Sequence, residues 1–134
     1  MAKTLTVVVE RAYEALNARD LDGFLALSDP EIEITSLIAE AEGGSFYGHE
    51  GVRDWWHRVV IGSLGGIRFT LAEIRELDHE MILVKLVVGG EASGVAVQQT
   101  MWQAIQVRDD ERAIWWQPFR TEEEALAAIE ERRG

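Results

Sequence analysis

Residues 46–60, FYGHEGVRDWWHRVV, set His49, Glu50, Asp54 and His57 beside Arg53, Arg58 and two tryptophans. Imidazoles and carboxylates gathered on one helical face are the ligand types of a divalent metal. The same groups serve general acid–base catalysis. At about 100° per residue, Glu50, Asp54 and His57 do share a face. Val52, Trp55, Trp56 and Val59 occupy the opposite one, and an apolar stripe turns inward, so the charged face is read as solvated. No metal and no other cofactor is expected. His49 precedes the helix, where the helical period does not fix its direction; a pocket mouth and a hydrogen bond to the loop both fit it.

The elements that position these groups follow from periodicity. Leu5, Val8, Val9, Ala12 and Leu16 recur at helical spacing over residues 4–18, and Asp20 is placed to cap a second short helix, LDGFLAL. EIEITSL, residues 31–37, alternates as a strand, and AEAEGGSFYG reads as a loop leading to the third helix. Four extended stretches follow: IRFTLAEIREL, EMILVKLVV, SGVAVQQTMWQAIQV and RAIWWQPF. Turns are expected at Asp78-His79, at Gly89-Gly90-Glu91-Ala92 and at Arg108-Asp109-Asp110-Glu111. In TEEEALAAIEERRG, Thr121 and Glu124 form a capping box ahead of a terminal helix. The expected fold class is α+β: one domain over residues 1–134, with N-terminal helices packed on a curved, mainly antiparallel sheet and a C-terminal helix. EMILVKLVV is nearly continuous in apolar residues, which predicts a sheet covered on both faces, the second by another copy of the chain.

The formal charge of −11 disfavours nucleic acid and anionic membranes as partners. The chain has no cysteine, which excludes disulfides and thiolate chemistry. MAKTLTVVVERAYEAL has none of the marks of a signal peptide, and no apolar run is long enough for a membrane span, so a soluble, cytoplasmic protein is expected.

The segments ALNARDLDGFLAL, PEIEI, YGHEGVRDWW, ASGV and FRTEEEALAAI, in this order and spacing, resemble the nuclear transport factor 2-like superfamily. Within it they are most similar to the SnoaL-like group of polyketide-cyclase and ketosteroid-isomerase relatives. The resemblance spans essentially the whole chain. It implies a cone-like fold, an interior cavity for a small molecule, and a homodimer across the outer sheet face. The isomerase's catalytic positions have departed. Ala12, with Tyr13 beside it, stands where those relatives carry the first-helix tyrosine, Ile34 replaces the general base, and Trp102 replaces the second oxyanion donor. The Asp-Arg-Asp arrangement of limonene-epoxide-hydrolase relatives has no counterpart, since Asp109 and Asp110 fall in a turn.

Two constellations remain. Strand alternation puts Gln98, Thr100, Trp102, Ala104 and Gln106 on one face, and Trp115, Gln117 and Phe119 on the same side of the last strand, with Trp116 opposite. If that face is the concave one, Tyr13, Trp55 and Trp56 approach it from the helices. The ligand-binding set is then Tyr13, Trp55, Trp56, Thr100, Trp102, Trp115, Gln117 and Phe119, enclosing a small apolar molecule. A filled core fits the same residues. Glu33 and His49 are the remaining carboxylate and imidazole for acid–base work. A binding protein without chemistry and an isomerase, cyclase or hydrolase are both compatible with this set.

Overall fold

The structure is a computed structural model and describes residues 4–35, 45–63, 66–92, 95–109 and 111–134. Helix α1 spans Thr4–Ala18 and α2 spans Leu21–Ala26. Arg19 ends α1 in a left-handed conformation, φ 58°, with its N–H and that of Asp20 closing onto Leu16 O and Ala15 O. Asp20 caps α2 as expected, its carboxylate accepting from Gly23 N at 3.0 Å.

Strand β1, Ser28–Thr35, begins earlier than the alternation suggested, and the last two residues of the expected strand lie outside the described residues. Ser45–Tyr47, expected as loop, forms a short strand β2 paired with β1. The third helix has two parts: α3, Gly48–Trp55, and a π-helical continuation, Trp56–Ser63. The meander follows as β3 (Ile67–Glu76), β4 (Met81–Ala92), β5 (Val95–Arg108) and β6 (Arg112–Phe119), and α4 (Glu122–Arg133) closes the chain. Gly89 and Gly90, read as a turn, instead lie in β4, and Gly90 has φ +138°. A Cβ on Gly90 would stand 2.2 Å from Gly66 O, so glycine is required where the two strands approach. The middle of ASGV, residues 93 and 94, and the loop residues 39–44 lie outside the described residues.

The six strands run in the order β2-β1-β6-β5-β4-β3. All pairs are antiparallel except β1 with β6. The inner face packs Ile32, Ile34, Ile82, Val84, Leu86, Ile105, Val107 and Trp116 against α1, α2, α3 and the π-helix. The outer face carries a second core in which Met81, Leu83, Ala104 and Trp115 meet Ala125 and Ile129 of α4. The chain's own terminal helix covers the Met81 and Leu83 end of this second face, while Lys85 and Val87 further along the strand are only half-buried.

Polar contacts fix α4 to the sheet. Thr121 Oγ1 accepts from Glu124 N at 3.1 Å, the N-terminal cap that the sequence announced. The Arg132 guanidinium lies 4.6 Å from the Trp115 ring centre and donates to Gln106 Oε1 at 2.6 Å. Arg133 reaches Asp78, 2.8 Å away, in the β3–β4 turn. Burial alone would raise the Asp78 pKa, but the backbone N–H groups of Glu80 and Met81 and the Arg133 charge outweigh it and hold the carboxyl below its ordinary value. A depressed folded pKa stabilises fully above the unfolded value of about 3.9, and that stabilisation is lost as pH falls through the folded value. Asp78→Asn is therefore expected to narrow its stability deficit against the parent below about pH 4, as chemical denaturation at stepped pH would read. A deficit independent of pH would refute the Asp78–Arg133 latch.

Candidate functional site

The inner face collects an aromatic cluster beneath the helices. Phe24 of α2 sits at its centre, with ring centroids 5.5 Å from Trp55, 5.7 Å from Trp56 and 5.4 Å from Trp116. Tyr13 of α1 continues it, 5.3 Å from Trp116 and 6.1 Å from Phe69. Each tilted or edge-on ring pair of this kind adds roughly 0.5–1.5 kcal/mol beyond area burial. Helical spacing places Val52, Trp55, Trp56 and Val59 on the inward stripe, as the sequence indicated, and all four are buried.

Polar atoms inside this cluster divide into satisfied and unsatisfied. Gln103, 4% exposed on β5, accepts from Trp116 Nε1 at 3.1 Å and from Gln117 N at 3.2 Å when its amide is oriented with Oε1 toward these donors. The Tyr13 hydroxyl and Trp55 Nε1 are buried and have no hydrogen-bond partner among the described residues. An unpaired buried donor costs about 1–3 kcal/mol. Burial pushes the Tyr13 phenol well above its ordinary pKa. It is therefore a neutral hydrogen-bond donor and not a base.

A groove of about 650 Å³ opens beside the cluster, between α1 and the edge strand β3. Its helix wall is Glu10, Tyr13, Glu14, Asn17 and Ala18; its strand wall is Arg68, Phe69, Thr70 and Leu71. The walls are held together at one end. Asn17 donates to Phe69 O and accepts from Phe69 N, both at 2.8 Å, and Arg19 donates to Ile67 O at 2.6 Å. Those side chains cover the otherwise unpaired edge of the sheet.

The structure brings together three of the expected ligand residues, Tyr13, Trp55 and Trp56, and separates the others from them. Trp102, Trp115, Gln117 and Phe119 lie on the outer face with Ala104, facing α4 or flanking it, and Thr100 is exposed on that same face. Trp115 Nε1 donates to Gln117 Oε1 at 3.2 Å. The expected assignment of faces is thus inverted. Met101, Gln103, Ile105 and Val107 carry more aliphatic bulk than Trp102, Ala104 and Gln106, and that bulk is the signal that would have placed Trp116 and Gln103 inside.

The acid–base candidates stand apart from the cluster. Glu33 lies on the outer side of β1 beside Trp115 of β6, 3.8 Å from Arg132, while Ile32 and Ile34 take the inner side. His49 Nε2 lies 2.7 Å from Ser28 O and ties α3 to the start of β1. Asp54 pairs with Arg58 at 3.2 Å on the exposed face of α3. No group of three histidine or carboxylate side chains placed to hold a metal occurs among the described residues.

Helices closing over one face of a curved, mainly antiparallel sheet, around an aromatic interior, define the cone fold of the nuclear transport factor 2-like superfamily. The sequence pattern of the SnoaL-like domain matches residues 9–128, and the chain belongs to that family. Among solved structures it is similar to TerC co-crystallised with polyporic acid, with a TM-score of 0.76, 19% identity, and 95% of this chain and 98% of that chain covered. RV0760c from Mycobacterium tuberculosis, in complex with estradiol-17beta-hemisuccinate, gives a TM-score of 0.75 at 15% identity, covering 90% and 95%. An NTF2-like protein of unknown function from Burkholderia pseudomallei gives 0.77 at 24% identity, covering 96% and 98%. At these identities the likeness establishes the fold. No curated protein matches the chain.

Proposed function

We propose that the chain binds a small, largely apolar molecule carrying a hydrogen-bond acceptor, seated at the Tyr13 edge of the inner-face aromatics where the groove between α1 and β3 opens. The observation that carries this reading is the buried Tyr13 hydroxyl, on a residue lining the groove, which has no hydrogen-bond partner among the described residues. A ketone, quinone or ether oxygen supplies what it lacks, and the surrounding rings supply apolar contact. Two structures of this fold, TerC with polyporic acid and RV0760c with an estradiol ester, hold ligands of that broad chemistry, which supports the reading. Tyr13 is the only titratable side chain in the cluster, and its raised pKa suits donation rather than proton abstraction. Binding is therefore favoured over acid–base catalysis, and the ligand set shifts to Tyr13 and Phe69 at the groove, backed by Trp116.

A thermal-shift screen of hydrophobic ketones against hydrocarbons of the same shape tests it. A ligand at 100 times its Kd stabilises by about 2.7 kcal/mol, and 1-tetralone is expected to shift the melting temperature more than tetralin does. Equal shifts, or none, would count against the acceptor-seeking pocket; conversion of a hit to product would instead support the isomerase, cyclase or hydrolase reading. Homodimerisation belongs to the same proposal. Its surface would be the part of the outer face beyond α4, where the half-buried Val87 and Trp102 adjoin Thr100, and sedimentation at the mass of one chain would rule it out.

A further inference from the structure

Asn17 displays what the open edge of β3 accepts. Its carboxamide takes both backbone groups of Phe69, donating to the carbonyl and accepting from the N–H, each at 2.8 Å. A residue that turns both groups to one side gives neither to the neighbouring strand, so Phe69 opposite Val88 is a non-hydrogen-bonded pair of the β3–β4 ladder. Such pairs alternate, and the next is Leu71 opposite Leu86. The Leu71 N–H and C=O therefore face the same side as those of Phe69. Asn17 and Arg19 cover Phe69 and Ile67 O, but no side chain among the described residues bonds the Leu71 pair, and Leu71 lines the groove with Tyr13 and Phe69. Toward the other end of β3 the helix is fastened by Thr6, whose Oγ1 donates to Glu76 Oε2 at 2.6 Å. A register shift directly after Leu71 breaks the alternation, so the open edge in register is one residue long. An added β-strand needs several successive pairs; a single planar amide needs one.

We propose that this edge selects, among the acceptor-bearing apolar molecules assigned to the groove, those that carry a cis secondary amide: aryl lactams. The lactam N–H and carbonyl stand side by side as the two ends of the Asn17 carboxamide do, and they pair with Leu71 O and Leu71 N while the fused ring lies against Phe69 and Tyr13. A carbonyl oxygen has two lone pairs, and the second is the acceptor that the pocket reading gives to the Tyr13 hydroxyl. That the groove is the ligand seat rests on that reading; the choice of a lactam rests on the β3 edge alone.

Three probes of nearly one shape separate the two: 1-tetralone, the benzolactam in which N–H replaces the methylene beside its carbonyl, and the N-methyl derivative of that lactam, each titrated by calorimetry. The lactam is expected to bind about three- to tenfold more tightly than 1-tetralone, the worth of one hydrogen bond made in exchange for water, and the N-methyl derivative no more tightly than 1-tetralone. Hydrogen exchange read by NMR follows the edge itself. The Leu71 amide should exchange without protection in the free protein and at least about tenfold more slowly at saturating lactam. Equal affinity of lactam and 1-tetralone, a preference that survives N-methylation, or Leu71 exchange that the lactam leaves unchanged would each overturn the edge assignment, and binding of 1-tetralone would leave the pocket reading standing. Absence of binding by all three would overturn both.

Discussion

Phe24→Ala is expected to destabilise the protein by about 3–5 kcal/mol. Phe24 is 1% exposed and is the ring that Trp55, Trp56 and Trp116 all contact. Its removal takes three aromatic contacts from the interior and leaves a void among large, rigid rings that cannot collapse to fill it. In a domain of this size the loss corresponds to a fall in melting temperature on the order of 10–20 °C, measurable by circular dichroism. A loss below about 1 kcal/mol would mean that the cluster is loosely packed, because core truncations in close-packed sites cost several times more.

Ile129→Asp carries the second large effect. Ile129 is 1% exposed, against Met81, Leu83 and Trp115 on the outer face of the sheet. A carboxylate there is buried without a counter-charge, at a cost of about 3–5 kcal/mol, unless α4 lifts away and takes it into water. In either case the outer apolar face is uncovered. The variant is expected to melt early and to bind a hydrophobic dye that the parent does not. Unchanged stability and dye response would show that α4 does not cover that face, and would restore the idea that another copy of the chain covers it.

Local features of this chain were legible from its sequence, and non-local ones were not. Asp20 as a cap, Thr121 ahead of three glutamates, and the inward stripe Val52-Trp55-Trp56-Val59 are each decided within a few residues, and the structure keeps them. The β2 strand and the parallel pairing of β1 with β6 depend on partners distant in the chain, which no short pattern encodes. The inverted faces of β5 and β6 have a different cause. Around Ala104 and Trp115 the outer face is buried by α4 as the inner face is by the N-terminal helices, so alternation still sorted Trp115 from Trp116 but carried no label for inside. Trp116 and Gln103 were missed at the site for that reason; Phe24, on the short helix α2, was missed because six residues give no clear helical stripe, whereas Trp55 and Trp56 sit in a longer one. Gly89-Gly90 misled in the ordinary way, since glycine pairs mark turns and here serve a close strand approach.

The central claim is that the buried, unpartnered hydroxyl of Tyr13 awaits a ligand, and Tyr13→Phe tests it on two axes at once. In the ligand-free protein the substitution deletes a donor that has no partner, so stability should hold or rise by about 1 kcal/mol. Affinity for 1-tetralone should fall roughly three- to tenfold, the worth of one hydrogen bond, while affinity for tetralin stays unchanged. A variant that is less stable without ligand and binds 1-tetralone as the parent does would contradict the account.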